Sequence, residues 1–191
     1  MTIDISDKRQ AILKAALELF VERGFHNTPT SLIAKQAGVA TGTLFHHFKN
    51  KEELINALYM ETKTQMGQAI KQNFQNTGSL EERMRQLFKE IVKWGILNPK
   101  EYRFIQQFTN SPFITKLTRD KALNQFEYLT KIINELVNSG ELKAIYPEFI
   151  EDFLEGVFKL AITHFRRHPD KISEETIDRV FDICWYGIFA K

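Results

Sequence analysis

Apolar residues recur every three or four positions along most of the chain, which is the spacing of one face of an α-helix. Clear examples near the two ends are Leu13, Ala16, Leu17 and Phe20, and Ile177, Val180, Phe181, Cys184 and Ile188. Nowhere does the sequence show a competing alternation of apolar and polar residues of the kind that is typical of β-strands. The pattern therefore predicts an all-α fold.

Helix start and stop signals divide the chain into about nine helices. Asp7 and Gly24 bound a first helix over about residues 7–23. The same kinds of signal predict helices over about residues 28–37, 41–47, 50–74, 79–97, 120–138, 147–167 and 174–190, with two short helices opened by Asn98-Pro99 and Ser111-Pro112. Each proline is thus interpreted as a helix boundary.

The composition is that of an ordinary globular protein: of 191 residues, 43% are hydrophobic and 26% charged, with a net charge of +2. These values exclude a disordered chain. The single cysteine, Cys184, cannot form an internal disulfide, and the polar N-terminus MTIDISDKRQ lacks the apolar stretch of a signal peptide. The longest run without a charged or strongly polar residue, Ile183–Ala190, is much shorter than the roughly 20 residues that span a bilayer. We therefore expect a cytoplasmic protein without a membrane span.

One stretch stands out by its charge. Residues 23–51 contain no Asp or Glu but include three histidines and four cations, Arg23, Lys35, Lys49 and Lys51. A surface that meets DNA phosphate favours this composition, because an acidic side chain would repel the backbone. The alternative is a chance fluctuation in a chain of which a quarter is charged.

The pattern inside this stretch favours DNA binding. A short helix with Ile33 is followed by the tight turn Ala37-Gly38-Val39 and a second short helix with Leu44 and Phe48 facing inward. This is the layout of a helix-turn-helix. The residues left outside are Thr41, Gly42, Thr43, His46 and His47, and small residues at the start of a helix permit close approach in a major groove.

Residues 28–54, TPTSLIAKQAGVATGTLFHHFKNKEEL, resemble the DNA-binding domain of the tetracycline-repressor (TetR) family of bacterial transcriptional regulators. The resemblance covers about residues 7–55. It implies a helix-turn-helix DNA-binding domain over 1–55 and a helical effector-binding and dimerisation domain over 56–191. It also implies that the third helix enters the major groove and that Lys51 binds a phosphate.

On this basis the expected DNA-binding residues are Thr28, Thr30, Thr41, Gly42, Thr43, Phe45, His46, Lys49 and Lys51. Thr28 is expected first as a helix cap and second as a phosphate contact, while His47 is expected to pack. Two positions depart from the family pattern. Ala40 replaces the usual Ser or Thr cap, which leaves Thr41 to cap the recognition helix, and Phe45 replaces a common Tyr whose hydroxyl would bind a phosphate.

The aromatic residues, 16 Phe, 5 Tyr and 2 Trp, are mostly expected in the core. The resemblance also implies a C-terminal domain that encloses a small, mostly apolar effector. We expect its pocket among Trp94, Tyr102, Phe108, Phe126 and His164, with residues 102–113 as one wall.

The sequence favours neither a metal nor a cofactor. His164 and His168 have the spacing of a metal-binding pair on a helix, but they flank Arg166 and Arg167, which disfavour a divalent cation. Cys184 is expected as a small buried apolar residue. No catalytic or nucleotide-binding motif is recognisable, so we do not expect an enzyme.

The leading hypothesis is a homodimeric repressor released from a palindromic double-stranded DNA operator by a small apolar effector. One alternative is an all-α module that binds an apolar ligand or a protein without operator binding, and another is an all-α enzyme. The dimer is expected through apolar residues of the last two helices, namely Ile150, Phe153, Leu154, Val157, Phe158, Ala161, Ile162, Phe165, Phe181, Trp185, Ile188 and Phe189. Gly156 and Gly187 are expected where another helix approaches closely.

Overall fold

A computed structural model describes residues 5–140 and 147–188. Within these residues the chain forms ten α-helices and no strand, as the apolar pattern predicts. The helices are α1 (Ile5–Arg23), α2 (Thr30–Gln36), α3 (Thr41–His47), α4 (Lys51–Asn73), α5 (Leu80–Leu97), α6 (Pro99–Phe108), α7 (Lys116–Leu123), α8 (Glu127–Asn138), α9 (Pro147–Arg167) and α10 (Glu174–Ile188). Short 3₁₀ turns lie at Asn124–Phe126 and Pro169–Lys171.

The helices form two compact units that differ from the division expected at residue 55. Unit 1 comprises the described residues of Met1–Gln65 together with Pro99–Gln125, and unit 2 those of Met66–Asn98 together with Phe126–Lys191. Helices α6 and α7 therefore pack with the N-terminal helices. The first division lies within α4, between Gln65 and Met66, rather than at residue 55.

Unit 1 is built around α1. Its buried side chains, Phe20 among them, contact α2, α3 and α6. The ring of Phe108 on α6 lies 6.1 Å from that of Phe20. On the surface of α1, the Glu18 carboxylate accepts hydrogen bonds from Lys100 of α6 at 2.6 Å and from Gln36 of α2 at 2.9 Å. The hydrogen bond from Lys100 is the main cause that lowers the pKa of Glu18. Helix α1 thus contacts both the helix-turn-helix and α6, whose Lys100 lies 82 residues after Glu18 in sequence.

Unit 2 packs α8, α9 and α10 against α5. Gly95 allows α5 and α9 to approach closely, since a Cβ at this position would lie 2.5 Å from Cδ1 of Ile162. Most apolar residues expected at a dimer interface are instead buried within the protomer: Ile150, Leu154, Val157, Ala161, Ile162, Phe165, Phe181 and Trp185. That expectation is wrong for these residues, because they are buried among the helices of this unit. Phe189 lies outside the described residues.

Two predicted elements differ from the structure. The helix expected to open at Ser111-Pro112 begins only at Lys116, because Thr115 caps it by accepting a hydrogen bond from the Thr118 amide at 3.1 Å. The helix expected over residues 120–138 is divided into α7, a 3₁₀ turn and α8. The division falls where the chain passes from unit 1 to unit 2.

Among the described helices, none combines the length and apolarity needed to cross a membrane.

Candidate nucleic-acid interface

The predicted helix-turn-helix is present in unit 1. Helix α2 ends at Gln36, and Gly38 adopts the left-handed conformation with φ +69°, which L-residues rarely adopt. The Val39 amide then donates to the carbonyl of Ala34 at 3.0 Å, which closes the turn. Ile33 of α2 and Leu44 of α3 are both fully buried, so the two helices are fixed against a shared core.

The outer face of α3 is exposed. Thr41, Gly42 and His46 are exposed, Phe45 is 44% exposed, and Thr43 is half-buried. The expectation that Thr41 caps α3 is wrong, because Ala40 occupies the cap position in an extended conformation and provides no side-chain hydrogen bond. The Thr41 hydroxyl therefore remains at the surface of the first turn.

Exposed basic side chains lie on both sides of α3 in the sequence. Lys35 and Lys49 are exposed, and no carboxylate lies within residues 23–51. His47 is half-buried, as expected for a packing residue, and its pKa is lowered mainly by burial and further by His46 and two cations of α1, Arg9 and Lys8. The cations of α1 were not predicted, because they lie some 40 residues before His47 in sequence. They extend the positive surface beyond the helix-turn-helix.

The structure contradicts both roles expected for Thr28. Its side chain is fully buried, and its hydroxyl lies 2.7 Å from the carbonyl oxygen of Gly24 and 3.2 Å from that of Leu19. The cap position of α2 is Pro29, which provides no side-chain hydrogen bond. Thr28 therefore ties the end of α1 to the start of α2, and its hydroxyl is inaccessible to DNA. Thr30, the first residue of α2, is half-buried.

Lys51, the expected phosphate ligand at the start of α4, is turned toward the protein. Its ammonium group donates a hydrogen bond to the carbonyl of Phe25 and lies 4.3 Å from the centre of the Phe25 ring. Burial lowers the pKa of Lys51, and the charge of Glu52 partly opposes this shift. A phosphate contact through Nζ would therefore require Lys51 to leave the Phe25 carbonyl.

The five expected effector-binding residues are divided between the two units. Tyr102 and Phe108 are buried in unit 1, and the Phe108 ring packs 5.0 Å from that of Phe104 and 6.1 Å from that of Phe20. In unit 2, Trp94 and Phe126 are buried whereas His164 is exposed. His164 lines a surface cleft of about 410 Å³ with Phe165, His168, Lys171, Thr176, Arg179 and Val180. This cleft includes neither Trp94 nor Phe126.

The loop between α6 and α7, which includes the end of the segment expected as an effector-pocket wall, contacts residues on both sides of the helix-turn-helix. Phe113, between α6 and α7, stacks on Phe25 with ring centres 4.0 Å apart, and the Asn56 side chain bonds the backbone of Phe113 and Thr115. No sequence signal pointed to these contacts, because the partners lie far apart in the chain.

In the described residues no three His, Cys, Asp or Glu side chains are grouped as a metal site would require. An exposed recognition helix without acidic residues, held by a buried core, instead defines a helix-turn-helix DNA-binding protein.

Comparison with known proteins identifies the family. Residues 12–58 match the model described as bacterial regulatory proteins, tetR family. The fatty acid metabolism regulator protein of Bacillus subtilis strain 168 is 30% identical over 148 residues, which cover 71% of each protein. The chain belongs to the TetR family of bacterial regulatory proteins. It is a DNA-binding transcriptional regulator and not an enzyme.

Solved structures share the fold over nearly the whole chain. A TetR-family transcription regulator from Shewanella sp. PV-4 has 34% sequence identity and a TM-score of 0.86, with 96% of this chain and 99% of that chain covered. The FadR regulator of Bacillus subtilis in complex with stearoyl-CoA has 23% identity and a TM-score of 0.71, over 94% and 98% of the two chains, which shows a likeness of fold. Regulators of this family bind DNA operators, typically as dimers and with small-molecule effectors.

Proposed function

We propose that this regulator is a repressor that binds a palindromic operator as a homodimer, with the outer face of α3 in the major groove, and that a small apolar effector releases it. The observation that carries the proposal is the exposure of Thr41, Gly42, Phe45 and His46 on α3, within a stretch, residues 23–51, that contains cations and no carboxylate. Such a surface attracts phosphate and admits base edges.

The proposed DNA-binding residues make two kinds of contact. Thr41, Gly42, Thr43, Phe45 and His46 lie on or beside the first turns of α3 and face the bases, where hydroxyl groups bond base edges and an apolar ring packs on a thymine methyl group. Lys49, just after α3, and Thr30, at the start of α2, bind backbone phosphates, which set affinity and register.

The dimer is supported by an exposed apolar face on α9 and α10. Leu160 and Ile183 are 67% and 75% exposed, and the side chain of Tyr186 is 58% exposed. Gly156 and Gly187 are exposed as well, and a Cβ on either would meet nothing within 4 Å in the same protomer. A second copy of the chain can therefore approach both helices closely and cover these side chains.

For the effector, the relative named as a fatty acid metabolism regulator supports a long acyl chain as the first class to test. Stearoyl-CoA, the molecule bound in one structural neighbour, is the probe of choice because it combines an apolar chain with a soluble head group. Its addition is expected to lower operator affinity by about 5- to 150-fold, which is the range of typical allosteric couplings.

Operator binding is tested by selecting bound sequences from a random pool of duplex DNA. The expected result is two inverted half-sites whose centres lie about one helical turn, or a multiple of it, apart. Thr43→Ala is expected to change the selected bases. Lys49→Ala should weaken binding to all sequences and reduce the slope of log affinity against log salt by about 0.9, which corresponds to one phosphate contact.

Lys71→Ala is the matched control, since Lys71 is an exposed lysine in the last turn of α4 that belongs to unit 2, whereas α3 belongs to unit 1. Its slope is expected to equal that of the unmodified protein. If Thr43→Ala and Lys49→Ala both behave like this control, α3 is not the DNA-binding face, and an apolar-ligand or protein-binding module becomes the better assignment.

A further inference from the structure

The loop between α6 and α7 contacts the segment just before the helix-turn-helix through aromatic rings. The Phe113 ring lies 4.0 Å from that of Phe25, with an angle of 16° between the ring planes. The centre of the His26 ring lies 5.1 Å from that of Phe113, with an angle of 79° between the ring planes. Phe25, which follows α1, therefore packs against Phe113, a residue almost 90 positions later in the chain.

Phe25 also holds the ammonium group of Lys51. Lys51 donates a hydrogen bond to the Phe25 carbonyl, and its Nζ lies 4.3 Å from the ring centre, within the range of a cation–π interaction. The same residue thus contacts Phe113 with its ring and Lys51 with both its ring and its backbone. Displacement of the Phe25 ring would remove part of what holds the Lys51 side chain against the protein.

The backbone of the loop is fixed to α4 a few residues from Lys51. Asn56 Nδ2 donates to the Phe113 carbonyl at 2.8 Å, and Asn56 Oδ1 accepts from the Thr115 amide at 3.0 Å. The Arg119 guanidinium donates to the Ile114 carbonyl at 2.6 Å, which further fixes the loop. The position of Phe113 is therefore determined on both sides.

The Lys51 ammonium has two kinds of available acceptor. In the structure it is bonded to a neutral carbonyl beside an aromatic ring, whereas a DNA phosphate would offer a full negative charge and a stronger, charge-assisted hydrogen bond. Whether Lys51 bonds the Phe25 carbonyl or a phosphate depends on how firmly Phe25 is held in place.

We propose that Phe113 is a positioning residue for DNA binding: by fixing Phe25, it holds the Lys51 ammonium on the protein and withholds one cation from the DNA backbone. This inference rests on the proposed operator binding. It makes the loop at residues 109–115 a regulator of the number of phosphate contacts, since a movement of Phe113 frees Lys51 to bond the DNA backbone of the proposed operator complex.

The test measures the slope of log affinity against log salt, which counts the phosphates neutralised. Phe113→Ala is expected to make the slope steeper by about 0.9, because Lys51 gains a phosphate contact, and Phe113→Tyr, which retains the ring, is expected to keep the original slope. The double variant Phe113→Ala with Lys51→Met should lose the added slope. Phe113→Leu, which keeps apolar bulk without a ring, carries the same expectation as Phe113→Ala and replaces it if that variant does not fold.

Two results would overturn the inference. The first is an unchanged slope in both Phe113→Ala and Phe113→Leu. The second is a flatter slope for Lys51→Met in the otherwise unmodified protein, because Lys51 would then already contact phosphate with Phe113 in place. Lys49→Ala separates this failure from that of the proposed function: if Lys49→Ala flattens the slope while the Phe113 variants do not change it, operator binding stands and only the role of Phe113 is wrong.

Discussion

The Arg85 guanidinium on α5 lies 2.7 Å from the Asp182 carboxylate on α10, and this ion pair is the end of a ladder between the two helices. On each helix the charged residues are spaced four apart, so they form one stripe. The remaining rungs are Lys89–Asp178 at 2.7 Å and Lys93–Glu174 at 2.6 Å. Since all three cations lie on α5 and all three acids on α10, the ladder favours the antiparallel register of these helices over any shifted one.

The middle of the ladder is expected to contribute most to stability. Asp178 accepts from Lys89 at 2.7 Å and lies 3.5 Å from Arg85, and these side chains are at most about a third exposed. Asp178→Asn should lower the melting temperature by about 2 °C, in line with about 0.5–1 kcal/mol for a partly screened network. Glu175→Gln is the control, because the Glu175–Arg179 pair is 73% exposed on both sides and its loss should leave the melting temperature unchanged.

Acid should remove the contribution of Glu174 to the stability of the folded protein. The hydrogen bond from Lys93 is the main cause that lowers the pKa of Glu174 below its ordinary value of 4.5. A carboxylate with a lowered pKa in the folded state stabilises that state at pH above about 4.5, and this contribution is lost as the pH falls through the lowered value. Glu174→Gln should thus melt about 1 °C below the unmodified protein at pH 7, and the difference should vanish in acid. If the difference in melting temperature persists at pH 2.5, it arises from packing and not from the charge of Glu174.

Thr28 is expected to affect stability without affecting phosphate contacts. Thr28→Val keeps the shape of the buried side chain but removes the hydroxyl that bonds the Gly24 carbonyl, which should cost about 1 kcal/mol and lower the melting temperature by about 2–4 °C. Thr28→Ser keeps the hydroxyl and should lose less. The salt slope of DNA binding should be the same in all three proteins, and a flatter slope in Thr28→Val would restore the phosphate role that the burial of this residue contradicts.

Gly95 is expected to tolerate no side chain. An added Cβ would lie 2.5 Å from Cδ1 and 3.1 Å from Cγ2 of Ile162, so Gly95→Ala should be destabilising by about 1 kcal/mol even after alanine's gain of about 1 kcal/mol in helix propensity. Chemical denaturation measures the change in the free energy of unfolding. In an Ile162→Val background, which lacks the nearest methyl group, the same substitution should cost less. Equal costs in both backgrounds would mean that Ile162 is not the obstacle.

The dimer face is tested with one charged substitution and a matched control. Leu160→Glu on α9 should give a monomeric mass in sedimentation at micromolar concentration, because a buried unpaired charge at an interface is strongly unfavourable. Leu97→Glu should leave the dimer intact, since Leu97 is 78% exposed but lies at the end of α5. If Leu160→Glu sediments as the unmodified protein does, α9 is not in the interface.

The local sequence was sufficient to predict features that depend on residues close together in the chain. Gly38 and the apolar pair Ile33 and Leu44 predicted the helix-turn-helix, because turn geometry and burial depend on neighbours within a dozen residues. Ser79 with Glu82 likewise forms the capping box that starts α5.

Features set by distant contacts could not be predicted in this way. Nothing near Lys51 in sequence indicates that its ammonium meets Phe25, and nothing near Phe113 indicates that its ring reaches the same residue. The packing of Phe108 against α1 could not be predicted for a related reason: an apolar helix face shows that a side chain is buried, but not which helix covers it. The unusual polar environment of Thr28 was hidden because both carbonyl partners belong to the backbone.

The order in which the chain is synthesised gives the discontinuity of unit 1 a further consequence. The apolar core around Phe20 is completed only by Phe104 and Phe108 of α6, although the helix-turn-helix itself ends before residue 50. A nascent chain that has emerged only as far as Gln65 therefore still exposes part of the surface that α6 covers. We therefore expect the core around the helix-turn-helix to be complete only after α6 has left the ribosome, and a truncated N-terminal fragment to be a target for chaperones and proteases rather than a free competitor for the operator.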